Sequence, residues 1–204
     1  RHGLREWASS TRPGLKSLHR TTRTSPKTLS GALSLSYGQV AFQLGPRINA
    51  AGRLDKAGQA LALLLETDPD EATQLASELD QFNTERRALQ NRIYDEVRRR
   101  LLLDDVRTDR PIVMEGDGWH PGVLGIVASK LTEEFNNPVI LIGMAGEKGV
   151  GSGRSVGNFH LQQALTECSD LLEKFGGHKL AVGLTIKKDQ IKNFIKRFLQ
   201  IHHK

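Results

Sequence analysis

The five residues GSGRS at positions 151–155 have the composition of an anion-binding loop. Glycine lets backbone N–H groups approach an anion closely, and serine hydroxyls add further donors. The guanidinium of Arg154 is planar and can bind two phosphate oxygens at once. We therefore expect that Gly151 and Gly153, which have no side chains, leave room for a phosphate between Ser152 and Arg154. The alternative is a glycine-rich strand packed against a neighbour, with Arg154 in a salt bridge.

A second glycine-rich stretch, FGGHKLAVG at residues 175–183, contains a single histidine. It follows a segment that reads as an amphipathic helix and precedes an apolar strand pattern. Gly176 and Gly177 are therefore predicted to cap the C-terminus of that helix. His178 would then lie at a helix–strand junction. A lone histidine is usually structural, but beside a phosphate loop it can bind a phosphate or a sugar.

A third stretch, LGPRINAAGRL at residues 44–54, places polar side chains among small ones. Because proline disfavours helix at the residue before it, Pro46 predicts an extended Gly45 in a strand or turn. The alternative to a ligand site here is a tight turn between two lobes, whose arginines meet acidic residues of a helix. The polar residues of this stretch are Arg47, Asn49 and Arg53.

The positive charge of the chain is concentrated near its start. The 204 residues carry a net charge of +6, but residues 1–53 contain nine Lys or Arg and one acidic residue, Glu6. A basic segment of this kind attracts polyanions such as nucleic acid. A solvated basic surface has the same composition, so the charge alone leaves both interpretations open.

Several classes of function are disfavoured by what the sequence lacks. No apolar run approaches the length of a membrane span. Cys168 is the single cysteine, which excludes an internal disulfide and a cysteine zinc site and indicates a reducing cytoplasm. Neither an Asp and His cluster with metal-ligand spacing nor a Ser-His-Asp arrangement can be identified. We therefore expect a chain that holds phosphate rather than cleaves it, with no metal bound.

The elements that must position these residues are predicted from periodicity. Apolar residues recur at helical intervals from Asp70 to Leu103, after an N-terminal signal at Asp68-Pro69-Asp70. This pattern predicts one helix of about 50 Å. From Arg110, strand patterns alternate with helical ones, which is typical of an α/β domain. Other expectations are two short helices in residues 1–20, a loop over 21–37, a helix over 56–66 and a helix over 158–175.

The blocks LGPRINAAGRL, LDQFNTERRALQ, WHPGVLGIVASKL, GSGRSV and FGGHKLAVGL, in this order, resemble the RecJ-like single-strand-specific 5′→3′ DNA exonucleases of the DHH phosphoesterase superfamily. The resemblance covers nearly the whole chain and is weakest over residues 15–37. The GSGRS and GGH blocks resemble the DHHA1 domain, the smaller lobe of these enzymes. The opening RHGLREWASSTRPGL looks like the end of the DHH lobe, and the absence of an initiator Met agrees with a fragment of a longer protein.

The resemblance implies an α/β fold in which a small DHHA1-type domain is joined by a long helix to a mainly helical remnant of the DHH lobe. The implied segments are 1–66, 67–108 and 109–204. RecJ-like enzymes use two divalent ions, Mn²⁺ or Mg²⁺, which Asp and His residues of the DHH lobe hold and which activate water. Those motifs are expected outside this chain, which would be inactive alone. The DHHA1 lobe closes the cleft and grips the 5′ end of the strand.

Site residues and partners follow from the same resemblance. Ser152 and Arg154 would bind the terminal phosphate, His178 would line the same cleft, and Arg47 and Arg53 would contact DNA phosphates. The implied partners are single-stranded DNA, the DHH lobe of the parent chain, and a single-strand-binding protein or helicase, in cytoplasmic DNA repair and recombination. The full implied set of 5′-phosphate and DNA-binding residues is Arg47, Asn49, Arg53, Ser152, Gly153, Arg154, Ser155, Gly176, Gly177 and His178.

Two other functions compete with this interpretation. One is the DHHA1 lobe of an oligonucleotide or nucleotide phosphatase, which shares the GGH turn but has a shorter linker between its lobes. The other is a non-catalytic replication scaffold. The long helix and the GPRINAAGR block argue against the first, and the presence of Arg154 and His178 argues against the second.

Overall fold

The computed structural model describes residues 2–22, 36–103 and 110–201. The chain divides into two compact units, Arg1–Arg87 and Ala88–Lys204. The predicted loop over 21–37 lies mostly outside the described residues, and the three-segment division of the chain stays a prediction. Within the described ranges, no helix combines the length and the apolar character needed to cross a bilayer.

The first unit is helical. Its buried core includes Leu18, Leu44, Leu63 and Leu79. The two short helices predicted in residues 1–20 and the helix predicted over 56–66 are confirmed. A π-helical turn, Val40–Leu44, joins the third helix to the fourth. The helices that begin in this unit are α1 (His2–Ser9), α2 (Pro13–Arg20), α3 (Tyr37–Gln39), α4 (Gly45–Arg53), α5 (Ala57–Leu65) and α6 (Pro69–Leu103).

The GPRINAAGR block is helix α4, and the prediction of an extended Gly45 in a strand or turn is wrong. Gly45 has the helical angles φ −54° and ψ −45°. Pro46 lies in the first turn of α4, directly after the π-helical turn Val40–Leu44, in which the N–H of Gly45 bonds to the carbonyl of Val40, so the helix continues through this position. Ala50 and Ala51 are fully buried, so their small side chains let α4 pack closely on its neighbours.

Helix α6 confirms the long helix predicted from periodicity. Asp68 caps it, because its Oδ1 accepts hydrogen bonds from the N–H groups of Asp70 at 2.9 Å and Glu71 at 3.0 Å. The first part of α6 contributes buried residues such as Leu79 to the core of the first unit. Its last part contributes buried residues such as Ile93 to a core of the second unit.

The second unit is built on a five-stranded sheet with the strand order β1-β2-β3-β5-β4. Strands β1 and β2 are parallel and connected through α7, and the other neighbouring pairs are antiparallel. This arrangement confirms the predicted α/β class. Its elements are β1 (Ile112–Asp117), α7 (Pro121–Phe135), β2 (Val139–Ala145), β3 (Lys148–Arg154), α8 (Leu161–Thr166), β4 (Lys174–His178), β5 (Ala181–Lys187) and α9 (Ile191–Ile201).

Separate apolar clusters cover the two faces of the sheet. On one face, α7 and the end of α6 pack against residues such as Val139 and Leu141 of β2. On the other face, α8 and α9 pack against residues such as Ile140 of β2 and Leu184 of β5. Successive residues of a strand therefore face different helices.

The predicted helix over 158–175 is wrong in its second half. Helix α8 ends at Thr166, a 3₁₀ turn covers Ser169–Leu171, and the chain then enters β4. Gly176 and Gly177 are consequently residues of an edge strand and not a helix C-cap. The apolar spacing of this stretch suits a helix, but pairing with β5 supplies a hydrogen-bonded ladder that overrides the local preference.

Candidate functional site

Arg154 and His178 come together on one face of the sheet. Arg154 of β3 pairs with Ala181 of β5, and Ala181 pairs in turn with His178 of β4. Residues directly opposite one another in antiparallel strands project from the same face. The backbones of β3 and β4 are two strand spacings apart, which is about 10 Å. A side chain with the reach of arginine and an imidazole can therefore approach one small ligand from its two sides.

The next row of the sheet consists of Ser152, Gly183 and Gly176. Both glycines are exposed. A Cβ added to Gly176 would meet no atom within 4 Å, and one added to Gly183 would come no nearer than 3.9 Å, to the carbonyl oxygen of Gly151. The bare backbone of β5 and β4 therefore forms a floor between polar side chains. We call this surface the open face; its residues are Ser152, Arg154, Gly176, His178, Ala181 and Gly183.

The guanidinium of Arg154 is oriented by its neighbours in β3. Its Nη1 donates hydrogen bonds to Oγ of Ser152 at 3.2 Å and to the carbonyl of Gly153 at 2.7 Å. Ser152 and Arg154 are both half-buried. A guanidinium and a hydroxyl held side by side are preorganised for an anion that can accept hydrogen bonds from both.

His178 ends β4 and is exposed at the edge of the open face. Its Nδ1 accepts a hydrogen bond from the N–H of Leu180 at 3.3 Å, so the neutral ring carries its proton on Nε2. The preceding residue, Gly177, has φ +140°, and a Cβ there would lie 2.2 Å from the carbonyl oxygen of Ala181. This tight backbone requires glycine, and it fixes where the imidazole is presented.

Gly151 and Gly153 do not open the backbone toward an anion, and that part of the prediction is wrong. An added Cβ would lie 2.9 Å from Cδ1 of Leu184 in the case of Gly151, and 2.8 Å from Cγ2 of Val182 in the case of Gly153. Both glycines are buried against the α8 and α9 core. The packed glycine-rich strand, considered as the alternative, is the correct interpretation for these two positions.

The glycine that does open the face, Gly183, was not identified from the sequence. It lies within LAVGLTI, an ordinary strand pattern with one isolated glycine. An isolated glycine in a strand is a weak signal for a close approach of another group. The register that places Gly183 between Ser152 and Gly176 is needed to recognise its position.

Ser155 forms hydrogen bonds that hold the loop after β3, and it is not a residue of the open face. Its hydroxyl donates to the carbonyl of Phe159 at 3.1 Å, and its N–H donates to the carbonyl of Leu180 at 3.0 Å. These bonds give Ser155 a structural role in the loop, and the phosphate contact expected of it stays a prediction.

Arg47 is also engaged within its own unit. Its Nε and Nη2 both lie 2.8 Å from Oδ1 of Asp80, and its Nη1 donates to the carbonyl of Gln43 at 2.6 Å. The Arg47 side chain is 13% exposed. The alternative considered from the sequence, an arginine that meets an acidic residue of a helix, describes Arg47. The phosphate contact expected of Arg47 stays a prediction.

Asn49 and Arg53 are both exposed and lie four residues apart on α4, where they share a helix face. Arg53 lies near two further guanidiniums of the same unit. The pKa of Arg86 is lowered mainly by burial and then by the positive charges of Arg87 and Arg53. Guanidiniums that repel one another favour a bound polyanion, so this cluster is a second candidate for phosphate contacts.

The described residues do not fit a metal centre. Across residues 2–22, 36–103 and 110–201, no group of three or more His, Cys, Asp and Glu is placed to hold a metal ion. What the open face supports chemically is the binding of an anion through a guanidinium, a hydroxyl and an imidazole.

Comparison with known proteins identifies relatives of this chain. Residues 109–204 match the DHHA1 domain. The single-stranded-DNA-specific exonuclease RecJ of Bacillus subtilis is 40% identical over 196 residues, which are 92% of this chain and 25% of that protein. The exonuclease of the same name from Escherichia coli is 36% identical over 201 residues, or 94% of this chain and 33% of that protein.

Solved structures give the same result. The crystal structure of RecJ with Mg²⁺ from Thermus thermophilus superimposes with a TM-score of 0.83 at 34% identity, covering 98% of this chain and 30% of that one. A structure of exonuclease RecJ bound to manganese gives a TM-score of 0.82 at 33% identity, covering 99% of this chain and 48% of that one. The chain thus spans a quarter to a third of the length of the curated relatives named above.

Proposed function

Since this chain is a RecJ-related protein with a DHHA1 domain at residues 109–204, we propose that it is the part of a 5′→3′ single-stranded DNA exonuclease that holds the DNA end. The observation that carries this proposal is the open face, where Ser152 and Arg154 stand opposite His178 across bare backbone. The ligand is the terminal 5′ phosphate. The parent enzyme hydrolyses the phosphodiester beside it in DNA repair and recombination.

The chemistry of the open face suits a strand end better than the middle of a strand. A terminal phosphate monoester carries a charge of about −1.5 to −2 at pH 7 and has three strong acceptor oxygens. Arg154 can bind two of these oxygens while Ser152 or His178 donates to a third. An internal phosphodiester has a single negative charge and two free oxygens, so it satisfies fewer of these donors.

The first unit supplies further phosphate contacts in this proposal. Asn49 and Arg53 are exposed on one face of α4, and Arg53 lies near Arg86 and Arg87. These groups recognise phosphates without reading the base, and their binding weakens as salt rises. Arg47 supports this region through its ion pair with Asp80.

The divalent ions of the parent enzyme are assigned to the DHH lobe, outside the residues described here. Two RecJ structures similar to this chain contain Mg²⁺ or manganese. Those ions supply an activated water when bound. The residues of this chain contribute the capture and orientation of the strand end.

The proposal also includes a cytoplasmic location and the partners implied by the resemblance. The DHH lobe of the parent chain is the intramolecular partner, and a single-strand-binding protein or a helicase would deliver the substrate. A DNA substrate and a single, buried cysteine support a reducing compartment where DNA is handled.

Binding of short single-stranded oligonucleotides that differ only in the 5′ phosphate tests this function. By fluorescence anisotropy, the chain should prefer the phosphorylated end. Arg154→Ala should remove about 1.5–3 kcal/mol of that preference, the usual worth of hydrogen bonds to a charged group. Arg99→Ala, which removes the same charge from an exposed position of α6, serves as the control. An unchanged preference in Arg154→Ala would reject the site, and Mn²⁺-dependent hydrolysis by the pure 204-residue chain would reject the assignment of catalysis elsewhere.

A further inference from the structure

Gly125 of α7 lies directly against both side chains of β3 that the open face uses. A Cβ added at Gly125 would stand 2.7 Å from Nη2 of Arg154, 3.3 Å from Cζ of the same guanidinium and 3.0 Å from Oγ of Ser152. Two separate polar groups therefore rest on helix backbone that has no side chain. Gly125 itself is half-buried.

Helix α7 cannot move aside to relieve such a contact. The neighbours of Gly125, Leu124 and Val127, are fully buried in the core that holds α7 to β1 and β2. Close-packed cores resist displacement of a helix, whereas the end of an arginine side chain changes rotamer easily. An added methyl group would therefore displace the guanidinium and leave the helix in place.

Helix propensity gives no reason for a glycine at this position. Glycine in a helix interior is less favourable than alanine, and Gly125 has ordinary helical surroundings within Pro121–Phe135. Its φ is not among the positive values found at Gly118, Gly146, Gly157 and Gly177. The close contacts with Arg154 and Ser152 explain why this position is glycine, since the backbone conformation does not require it.

We infer that Gly125 is a positioning residue of the phosphate site, which sets the place of the Arg154 guanidinium and the Ser152 hydroxyl by leaving room for them on α7. This inference rests on the proposed function of the open face. Gly125 does not touch the phosphate. It acts through Arg154, so its effect must disappear when that side chain is absent.

The Gly125→Ala variant of the 204-residue chain tests the inference. Its melting temperature should be equal to or above that of the parent chain, because alanine favours helix. Its affinity for a 5′-phosphorylated oligonucleotide should fall about tenfold, as expected for loss of a hydrogen bond to a charged group. Its affinity for the matched 5′-hydroxyl oligonucleotide should not change. Gly58→Ala in α5 is the matched control, since a Cβ there meets no atom within 4 Å.

A double-mutant cycle separates this inference from the proposed function. In an Arg154→Ala background, Gly125→Ala should cause no further loss of phosphate preference. An equal loss in both backgrounds, or a lowered melting temperature with weaker binding of both oligonucleotides, would overturn the positioning role. Full preference in Gly125→Ala, with the preference lost in Arg154→Ala, would overturn the inference and leave the proposed function standing. No effect of Arg154→Ala would overturn both.

Discussion

Arg154 and His178 belong to one cross-strand row of the sheet, with Ala181 of β5 between them. The row places a permanent positive charge and an imidazole on the two sides of a surface that carries no large side chain. The neighbouring row adds the hydroxyl of Ser152 and two exposed glycines. Because of this strand pairing, the two short glycine-rich motifs contribute to one candidate site.

Filling the floor of the open face should abolish recognition of the phosphate. Gly183→Val is expected to lower the affinity for the 5′-phosphorylated oligonucleotide at least tenfold, because the branched side chain would occupy space beside Ser152 and Gly176. Stability should be unchanged or higher, since valine suits a strand better than glycine. Thr185→Val, one row along the same strand and face, is the control in anisotropy titrations. Wild-type phosphate preference in Gly183→Val would contradict the role of the bare backbone.

The buried glycines of β3 should govern stability instead of binding. Gly151→Ala is expected to lower the free energy of unfolding by about 1–3 kcal/mol, the usual cost of overpacking, because its Cβ would lie 2.9 Å from Leu184. Gly176→Ala, whose Cβ meets nothing within 4 Å, should change stability little. Urea denaturation measures both. Equal stabilities for the two variants would contradict the division of these glycines between core and open face.

The salt dependence of binding should report the phosphate contacts of the first unit. Arg53→Ala is expected to reduce the slope of log K against log salt concentration by about 0.7, the value for one phosphate contact to a single strand. Arg99→Ala, an exposed arginine of α6, should leave the slope unchanged. Anisotropy titrations of a longer oligonucleotide at several salt concentrations provide the measurement. The same slope in Arg53→Ala and the parent chain would remove Arg53 from the interface.

His19 should make the stability of the first unit depend on pH. Its side chain is 2% exposed, and its Nε2 has no hydrogen-bond partner among the described residues. Burial lowers the pKa of His19 below its ordinary value of 6.5. The unfolded chain therefore binds the proton first, so stability is complete above about pH 6.5 and is lost as the pH falls toward the folded pKa. Urea denaturation at pH 7.5 and 5.5 should show this loss.

His19→Leu is the variant that isolates this effect from the other histidines. It removes a buried nitrogen, Nε2, that has no hydrogen-bond partner among the described residues, so it should unfold at a similar urea concentration at pH 7.5. Between pH 7.5 and 5.5 its stability should fall less than that of the parent chain. An identical fall in the two proteins would show that His19 is not the group responsible.

Local signals predicted much of the architecture. The apolar spacing of α6 and its cap at Asp68 specify a helix without help from distant residues. The alternation of strands and helices after Arg110 indicated the α/β class. The two glycine-rich motifs pointed to Arg154 and His178 by composition alone.

The errors in prediction concern features that depend on what packs against a segment. In GSGRS, serine and arginine alternate with glycine, and the period-2 pattern does not say which set faces the core. Gly176 and Gly177 have the composition of a helix cap, but pairing with β5 places them in a strand. Arg47 and Arg53 carry the same charge. The ion pair of Arg47 with Asp80 joins residues 33 positions apart, so local sequence patterns do not reveal it.

The sequence by itself determined the long helix and the class of the fold, because capping and periodicity act over a few neighbouring residues. Its composition also named the side chains that we propose to bind a phosphate. The tertiary structure alone decided that Ser152, Arg154 and His178 share a face, that Gly183 supplies its floor and that Gly125 leaves room for the guanidinium. Strand register and helix packing join residues far apart in the chain, and their outcome depends on the whole domain.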